Sequence, residues 1–387
     1  RPGRSSIGRL AKMHVQLLSL LCSAVEEQEM KIAVLGAGAG GTAIAFDCAA
    51  HGHEVRLFDF PQFADNIATV AAQKGIHAKG GLEGFADVSY AGHDIDETLL
   101  DSELIYVVGP AYSTEPFGAA VAGKLRPGQT VIVTPSSCGG ALAFKKAAGL
   151  RIDDNTVRVA ETSTLHYAVR LTESGRIRVF LKLRAGNLLA ALPAAQTDAV
   201  LRLIEDVYPG MEPAASVMQT SLQNANPIIH PAVTLTNAAR IEQTGGDFLF
   251  YEEGVSDATG RLIEALDKER IAIGRKLDIR VVPDPELAMR QGYMLADDYG
   301  EAYRTAPGFL GIGAQPGLDH RYLNEDVGYG LVFLSELARQ VGIETPTIDA
   351  VIQVTSVLMA RDYAGEAVRT PESLGIAALS AEELGSL

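Results

Sequence analysis

Apolar residues are first met as short unbroken runs that stop at glycine or proline. Lys31 to Leu35 (KIAVL), Leu104 to Gly109 (LIYVVG) and Val131 to Thr134 (VIVT) are of this kind. Such runs predict parallel strands covered on both faces. Glu54 to Phe58 (EVRLF) alternates and predicts a further strand. Between these lie Thr42 to Ala50, small and apolar enough for a helix packed close on a sheet, and helical patterns over Gln62 to Lys74 and Thr114 to Leu125. Ile76 to Tyr90, with Gly80, Gly81 and Gly84, reads as a glycine-rich hairpin or loop. Val157 to Ala160, Tyr167 to Leu171 and Ile177 to Leu183 read as strands, the last two joined by a turn at Glu173-Ser174-Gly175. Strands alternating with helices predict an α/β fold, a Rossmann-type doubly wound sheet with helices on both faces.

Beyond about residue 195 the pattern becomes helical. Asp198 to Val207, Pro231 to Glu242, Ser256 to Leu277, Glu286 to Asp297, Asp326 to Val341 and Pro346 to Ala360 carry the 3.6-residue period. Thr345-Pro346 suits an N-cap followed by a first-turn proline. A mainly α-helical C-terminal domain is expected, with the boundary between residues 190 and 220. The division is residues 1–29 as an N-terminal extension, 30–205 as the sheet domain and 206–387 as the helical domain.

Composition agrees with two cores. The chain has 387 residues, 47% hydrophobic and 21% charged, so a large interior can be buried. The net charge of -15 repels phosphate backbones and argues against nucleic acid. It does not argue against an anionic cofactor held by local N–H groups. Three cysteines, Cys22, Cys48 and Cys138, lack CxxC spacing; this argues against a disulfide framework or zinc site and fits a reducing cytoplasm. No metal is expected. No run of 18 apolar residues predicts a membrane span. Basic residues from Arg1 to Lys12, followed by apolar Val15 to Val25, loosely resemble a signal peptide. The preferred reading is an extension ahead of Met30, where the first strand begins.

The chemistry starts at Gly36-Ala37-Gly38-Ala39-Gly40-Gly41, which has G-x-G-x-x-G spacing. Gly36 permits the tight turn, Gly38 lets backbone approach a pyrophosphate, and Gly41 lets the helix pack on the strand. A strand precedes the motif, and a helix and second strand follow. Asp59 ends that second strand, where its carboxylate would accept hydrogen bonds from the ribose of NAD and repel the extra phosphate of NADP. Pro110, which stops the Leu104 strand, is placed with the cofactor-binding residues. The expected cofactor is therefore NAD in preference to NADP; FAD, or no ligand, is the competing reading of the glycine turn.

In the helical half, Asn224 to Pro231 (NANPIIHP) reads as a loop entering a helix, with His230 where the helix begins. A histidine there can act as acid or base, or can simply cap and pack. Arg321 to Val332 (RYLNEDVGYGLV) offers Asn324 as a helix cap with Glu325 and Asp326 in the first turn. Its functional reading has Asp326 orienting His230, and Arg321 holding a carboxylate through a bidentate pair.

These stretches resemble the opine dehydrogenases. The resemblance runs from about Met30 to Leu387. It rests on the glycine turn, on Ala160 to Thr164 with Tyr167 and Arg170, on Asn226-Pro227 with His230-Pro231, on Glu325-Asp326 with Tyr329 to Val332, and on the tail from Arg369. It implies a substrate cleft between a Rossmann domain and a helical domain. It also implies condensation of an amino acid with a 2-oxo acid such as pyruvate, and reduction of the imine by NAD(P)H. His230 and Asp326 would be catalytic, with Arg321 and Asn226 at the substrate. The partners implied are small molecules; a homodimer is the assembly left open. The chain departs from the family where His166 and Gly328 replace usual prolines, which bears on substrate preference. The competing functions are a 2-oxo acid or ketone reductase of the same plan, with His230 protonating the alkoxide, and a non-catalytic nucleotide sensor.

Overall fold

The computed structural model describes residues 29–387; the signal-like stretch lies outside them. Its strands are β1 Lys31–Leu35, β2 Glu54–Phe58, β3 Gly75–Gly80, β4 Gly84–Asp87, β5 Tyr90–Gly92, β6 Leu104–Val108, β7 Thr130–Thr134, β8 Arg158–Thr162, β9 Tyr167–Glu173, β10 Arg176–Lys182, β11 Asn187–Leu192 and β12 Met211–Pro213. Eight of them form one sheet in the order β12-β11-β8-β7-β6-β1-β2-β5. Neighbours run parallel except at β11, which meets β8 antiparallel. The expected doubly wound sheet is present.

The apolar runs are unbroken because both faces are covered. Ala33, Leu35, Ile105, Val107, Val131 and Val133 point into a core shared with the helices Thr114–Val121 and Gly140–Ala147 and with the helical half. Ile32, Val34, Leu104, Tyr106 and Ile132 point into a second core on the opposite face. Each fully buried aliphatic side chain contributes roughly 1.5–3 kcal/mol to this.

The second core explains the glycine-rich segment. Strands β4-β3-β10-β9 form a separate four-stranded sheet, with β3 antiparallel to β4 but parallel to β10. The helix Ala39–Ala50 lies between the two sheets, and Gly41 to Cys48 are buried without a break. Most of its residues are small, with Ile44 and Phe46 the large exceptions, which lets both sheets approach. Asp47 on this helix accepts from Tyr167 Oη at 2.5 Å and pairs with Lys182 Nζ at 2.7 Å.

Three expectations change. The sheet runs past residue 205, to the three-residue β12, whose brevity and proline leave little strand signal. The single helix expected over Pro231–Glu242 is two, Asn226–Thr236 and Ala238–Thr244. The first starts earlier than expected, so Pro231 and His230 lie inside it. Pro231 is the sixth residue of that helix, where proline forgoes the bond to the carbonyl four residues back and its ring crowds that carbonyl, so packing holds the helix through it against local preference. Thr345 does stand at the N-cap position before Pro346, but its side chain makes no cap bond. The first free N–H groups, of Thr347 and Ile348, donate instead to the Glu269 carboxylate at 2.8 and 2.9 Å.

His166 is fully buried, its ring stacked on Tyr208 at 4.1 Å. Asn187 Nδ2 lies 3.1 Å from its Nδ1. This departure from the family pattern is therefore a change in the core between the sheets. Burial, then the Lys182 charge, holds the imidazole down to about 3. The unfolded chain takes up a proton below its ordinary value near 6.5 and the folded chain does not. More protons bind the unfolded state in that window, so stability falls as pH drops from 6.5 towards 3. We predict that His166→Phe, which keeps a stacking ring and cannot titrate, loses less stability than the parent between pH 7 and pH 4.5. The difference should approach ~1.4 kcal/mol per pH unit; parallel melting curves at each pH would contradict it.

Candidate functional site

The glycine turn connects β1 to the helix Ala39–Ala50. Gly36 has φ +112°, and a Cβ there would stand 2.0 Å from the Val108 carbonyl oxygen; one on Gly41 would stand 1.7 Å from the Gly36 oxygen. Both positions exclude a side chain. A Cβ on Gly38 would meet nothing within 4 Å, so open space lies at the helix N-terminus, where no side chain caps the first N–H groups. A helix end of this kind favours an anion. Gly40 packs near Leu165 and Val108, and Ala39 begins the helix. The turn is braced from outside: the Ala37 carbonyl accepts from Asn66 Nδ2 at 2.6 Å and Thr42 Oγ1 at 3.1 Å.

Asp59 follows β2 and is 7% exposed. Its Oδ2 accepts from Ala37 N at 2.7 Å and its Oδ1 from Phe60 N at 2.8 Å. Burial pushes its carboxyl upward, and those two N–H bonds oppose the shift. The carboxylate thus holds the glycine turn itself, a task the spacing did not reveal, and keeps a second lone pair on each oxygen. Pro110 stands at the C-terminal end of β6, next to the Val108 backbone that Gly36 touches. Open space at Gly38, the uncapped helix and Asp59 together fit a dinucleotide.

The helical half places its groups against the same edge of the sheet. The short helix Arg321–Asn324 runs into a π turn, Asp326–Leu331, and then the helix Val332–Val341. Asn324 is therefore not the expected cap. His320 holds that position, and Asn324 instead donates to Asp319 and accepts from Tyr363 Oη. The π turn lets the Gly330 N–H reach the Glu325 carbonyl, five residues back, at 3.3 Å. A Cβ on Gly330 would stand 2.4 Å from Pro227 Cγ, so this glycine lets the helix Asn226–Thr236 approach. Gly328, the other family departure, faces Tyr363.

The approach brings His230 to Asp326. Nδ1 lies 2.7 Å from Asp326 Oδ2, and Nε2 lies 3.1 Å from Tyr251 Oη. A carboxylate can only accept, so Nδ1 carries the proton in the neutral ring. Tyr322 stacks on the imidazole at 4.0 Å, and Phe250 meets its edge. Asn226 is one turn before His230, on the same helix face.

Glu325 docks this group. It accepts from Ala111 N at 2.8 Å, in the loop after β6, and from Ser137 Oγ at 3.1 Å, in the loop after β7. Burial and neighbouring Asp326 push its carboxyl upward, while Arg321 and the two donors pull it back. Arg321 reaches Glu325 only at 3.4 Å, and its side chain is 46% exposed. Arg369, fully buried, donates to the carbonyls of Ser136, Ser137, Cys138 and Ala111 and to Glu115. Tyr251 and Arg369 were not assigned roles from the sequence, and Glu325 was read only as a first-turn acid of the helix. The aromatic run Phe248 to Tyr251 was the one available signal for the first.

Residues 213–359 match the family model described as NAD/NADP octopine/nopaline dehydrogenase, alpha-helical domain. Residues 31–137 match that of the NAD-dependent glycerol-3-phosphate dehydrogenase N-terminus. The chain is 37% identical to an opine dehydrogenase of Arthrobacter sp. (strain 1C), across 92% of this chain and 97% of that one. It is 25% identical to protein ocs of Agrobacterium tumefaciens (strain Ach5), across 86% and 92%. An octopine dehydrogenase solved with NADH and agmatine superposes with a TM-score of 0.76 at 18% identity, across 92% and 98%. The chain belongs to the opine dehydrogenase family of NAD(P)-dependent oxidoreductases.

Proposed function

We propose that this enzyme condenses the amine of an amino acid with a 2-oxo acid such as pyruvate and reduces the resulting imine with NADH. The observation that carries the reading is the 2.7 Å bond between His230 and Asp326, docked through Glu325 on the C-terminal edge of the sheet. Parallel α/β sheets bind their ligands outside that edge.

A protonated amine cannot attack a carbonyl, so a base must first take its proton. Neutral His230 can do so, and Asp326 stabilises the imidazolium that forms. The same proton then assists loss of water from the carbinolamine. Arg321, half-exposed and only loosely paired, holds a substrate carboxylate, with Asn226 beside it. The nicotinamide, when bound, supplies the hydride. The uncapped N–H groups after Gly38 hold its pyrophosphate, and Asp59 faces its ribose. Asp59 favours NADH over NADPH, because a second phosphate there would meet a carboxylate. We place the enzyme in the cytoplasm, with the nicotinamide pool; the buried free thiols Cys48 and Cys138 suit a reducing compartment. Among the described residues no helix is long and apolar enough to cross a membrane.

NADH oxidation should be slow with pyruvate alone and fast with pyruvate plus a member of an amino-acid panel. Substantial turnover with pyruvate alone would instead mark a 2-oxo acid reductase. His230→Ala should lose at least ~10²-fold in kcat while binding NADH normally by fluorescence titration; near-wild-type turnover would remove His230 from the mechanism. Asp59→Asn keeps an acceptor and removes the charge. Its NADH-to-NADPH ratio of kcat/KM should fall by roughly tenfold, about one 1.4 kcal/mol contact, and an unchanged ratio would refute the assignment.

A further inference from the structure

The histidine just described has no nitrogen left for substrate. Nδ1 is held by Asp326 at 2.7 Å, and Nε2, the nitrogen that must move protons, has the Tyr251 hydroxyl on it at 3.1 Å. One ring face lies under Tyr322 and the edge meets Phe250. His230 is 5% exposed. Tyr251 is itself fixed, stacked on Phe309 at 4.3 Å and edge-on to Phe250 at 5.0 Å, and Tyr293 also stacks on Phe309. This aromatic wall sets the phenol aim with little rotational freedom.

From this geometry we infer that Tyr251 is the relay through which His230 exchanges protons with the substrate. The inference rests on the condensing reaction proposed above. In the first transfer the substrate ammonium gives a proton to Tyr251 Oη while the phenol's own proton passes to His230 Nε2. The amine becomes neutral and the ring becomes imidazolium, paired with Asp326. In the second transfer Nε2 returns its proton to Tyr251 Oη while the phenol's proton goes to the carbinolamine hydroxyl. The C–O bond breaks, water leaves, and the nitrogen lone pair forms the C=N bond. The histidine ends neutral, and the phenol has passed one proton for each it received.

A relay must not ionise in its own right. Burial, reinforced by the nearby Tyr322, Asp284 and Asp326, pushes the Tyr251 hydroxyl well above its ordinary value, with Arg321 opposing. The phenol therefore stays protonated at working pH and can only hand protons on. A hydroxyl suits this use because it both donates and accepts. It donates to neutral Nε2 and, after a small rotation, accepts from the charged ring.

Tyr251→Phe keeps the ring and its stacking. Its kcat for NADH oxidation with the best substrate pair should fall by ~10²-fold, the usual weight of a positioned acid–base group. KM for both substrates and NADH binding should stay within about threefold, and the solvent deuterium isotope effect on kcat should rise, since the proton step becomes limiting. A role confined to packing would raise KM or lower the melting temperature and leave the isotope effect where it was. A kcat within threefold of wild type, or an unchanged isotope effect, overturns the relay. Should the Phe variant not fold, site-specific 3,5-difluorotyrosine at 251 preserves the shape and lowers the phenol's affinity for its proton. A severalfold change in kcat supports the relay, and an unchanged kcat overturns it. Wild-type turnover that fails to require an amino acid would instead sink the condensing reaction, whatever the variants do.

Discussion

The arrangement depends on a buried carboxylate between two halves of the chain. Glu325 belongs to the helical half, yet its two shortest side-chain hydrogen bonds come from Ala111 N and Ser137 Oγ, in loops that follow strands of the sheet. Its neighbour Asp326 holds His230. Whatever fixes Glu325 therefore fixes the dyad relative to the edge where a dinucleotide binds. A buried carboxylate without partners would cost several kcal/mol, and donors from the far side remove that cost only when the halves are in register. Arg369 works in the same direction, with a fully buried guanidinium spread over the carbonyls of the same two loops. Buried charges are weak evidence for stability but strong determinants of geometry, because few arrangements satisfy them.

Two glycines set the distances. Gly41 lets the helix Ala39–Ala50 lie against the Gly36 carbonyl, which aims its N-terminus outward at the turn. Gly330, within a π turn, lets Pro227 close on it and so brings the His230 helix to Asp326. Insertions of this kind inside α-helices are rare and concentrate at functional sites. Here the π turn begins at Asp326, and its Gly330 N–H reaches back to the Glu325 carbonyl.

The functional reading and the relay differ in their physical basis. Cofactor binding follows from exposed backbone at a helix end, which any glycine-rich turn of this geometry offers. Proton transfer follows from a packed aromatic wall, Tyr293, Phe309, Tyr251 and Phe250, that orients a hydroxyl on an imidazole. The first tolerates much variation in its surroundings. The second does not, since displacing a proton donor by an ångström can cost orders of magnitude in rate.

What the sequence determined by itself was local. Strands β1, β2, β6 and β7, the turn between Gly36 and Gly41 and the helical second half are legible because hydrophobic period and glycine spacing act over ten or twenty residues. The candidate dyad was open to a functional reading from its residue types, but within the chain nothing brought the two stretches together, and the family resemblance was what paired them. That β3 would pair with β10, that β12 would extend the sheet, and that His230 would sit inside a helix beyond an early proline were decided by packing, which overrides weak local signals. The union of His230 with Asp326 spans 96 residues of chain, and Tyr251 joins from a third segment. No pattern within one stretch encodes such a meeting. It exists because Gly330 leaves room for Pro227 and because Glu325 takes its shortest side-chain hydrogen bonds from the far loops.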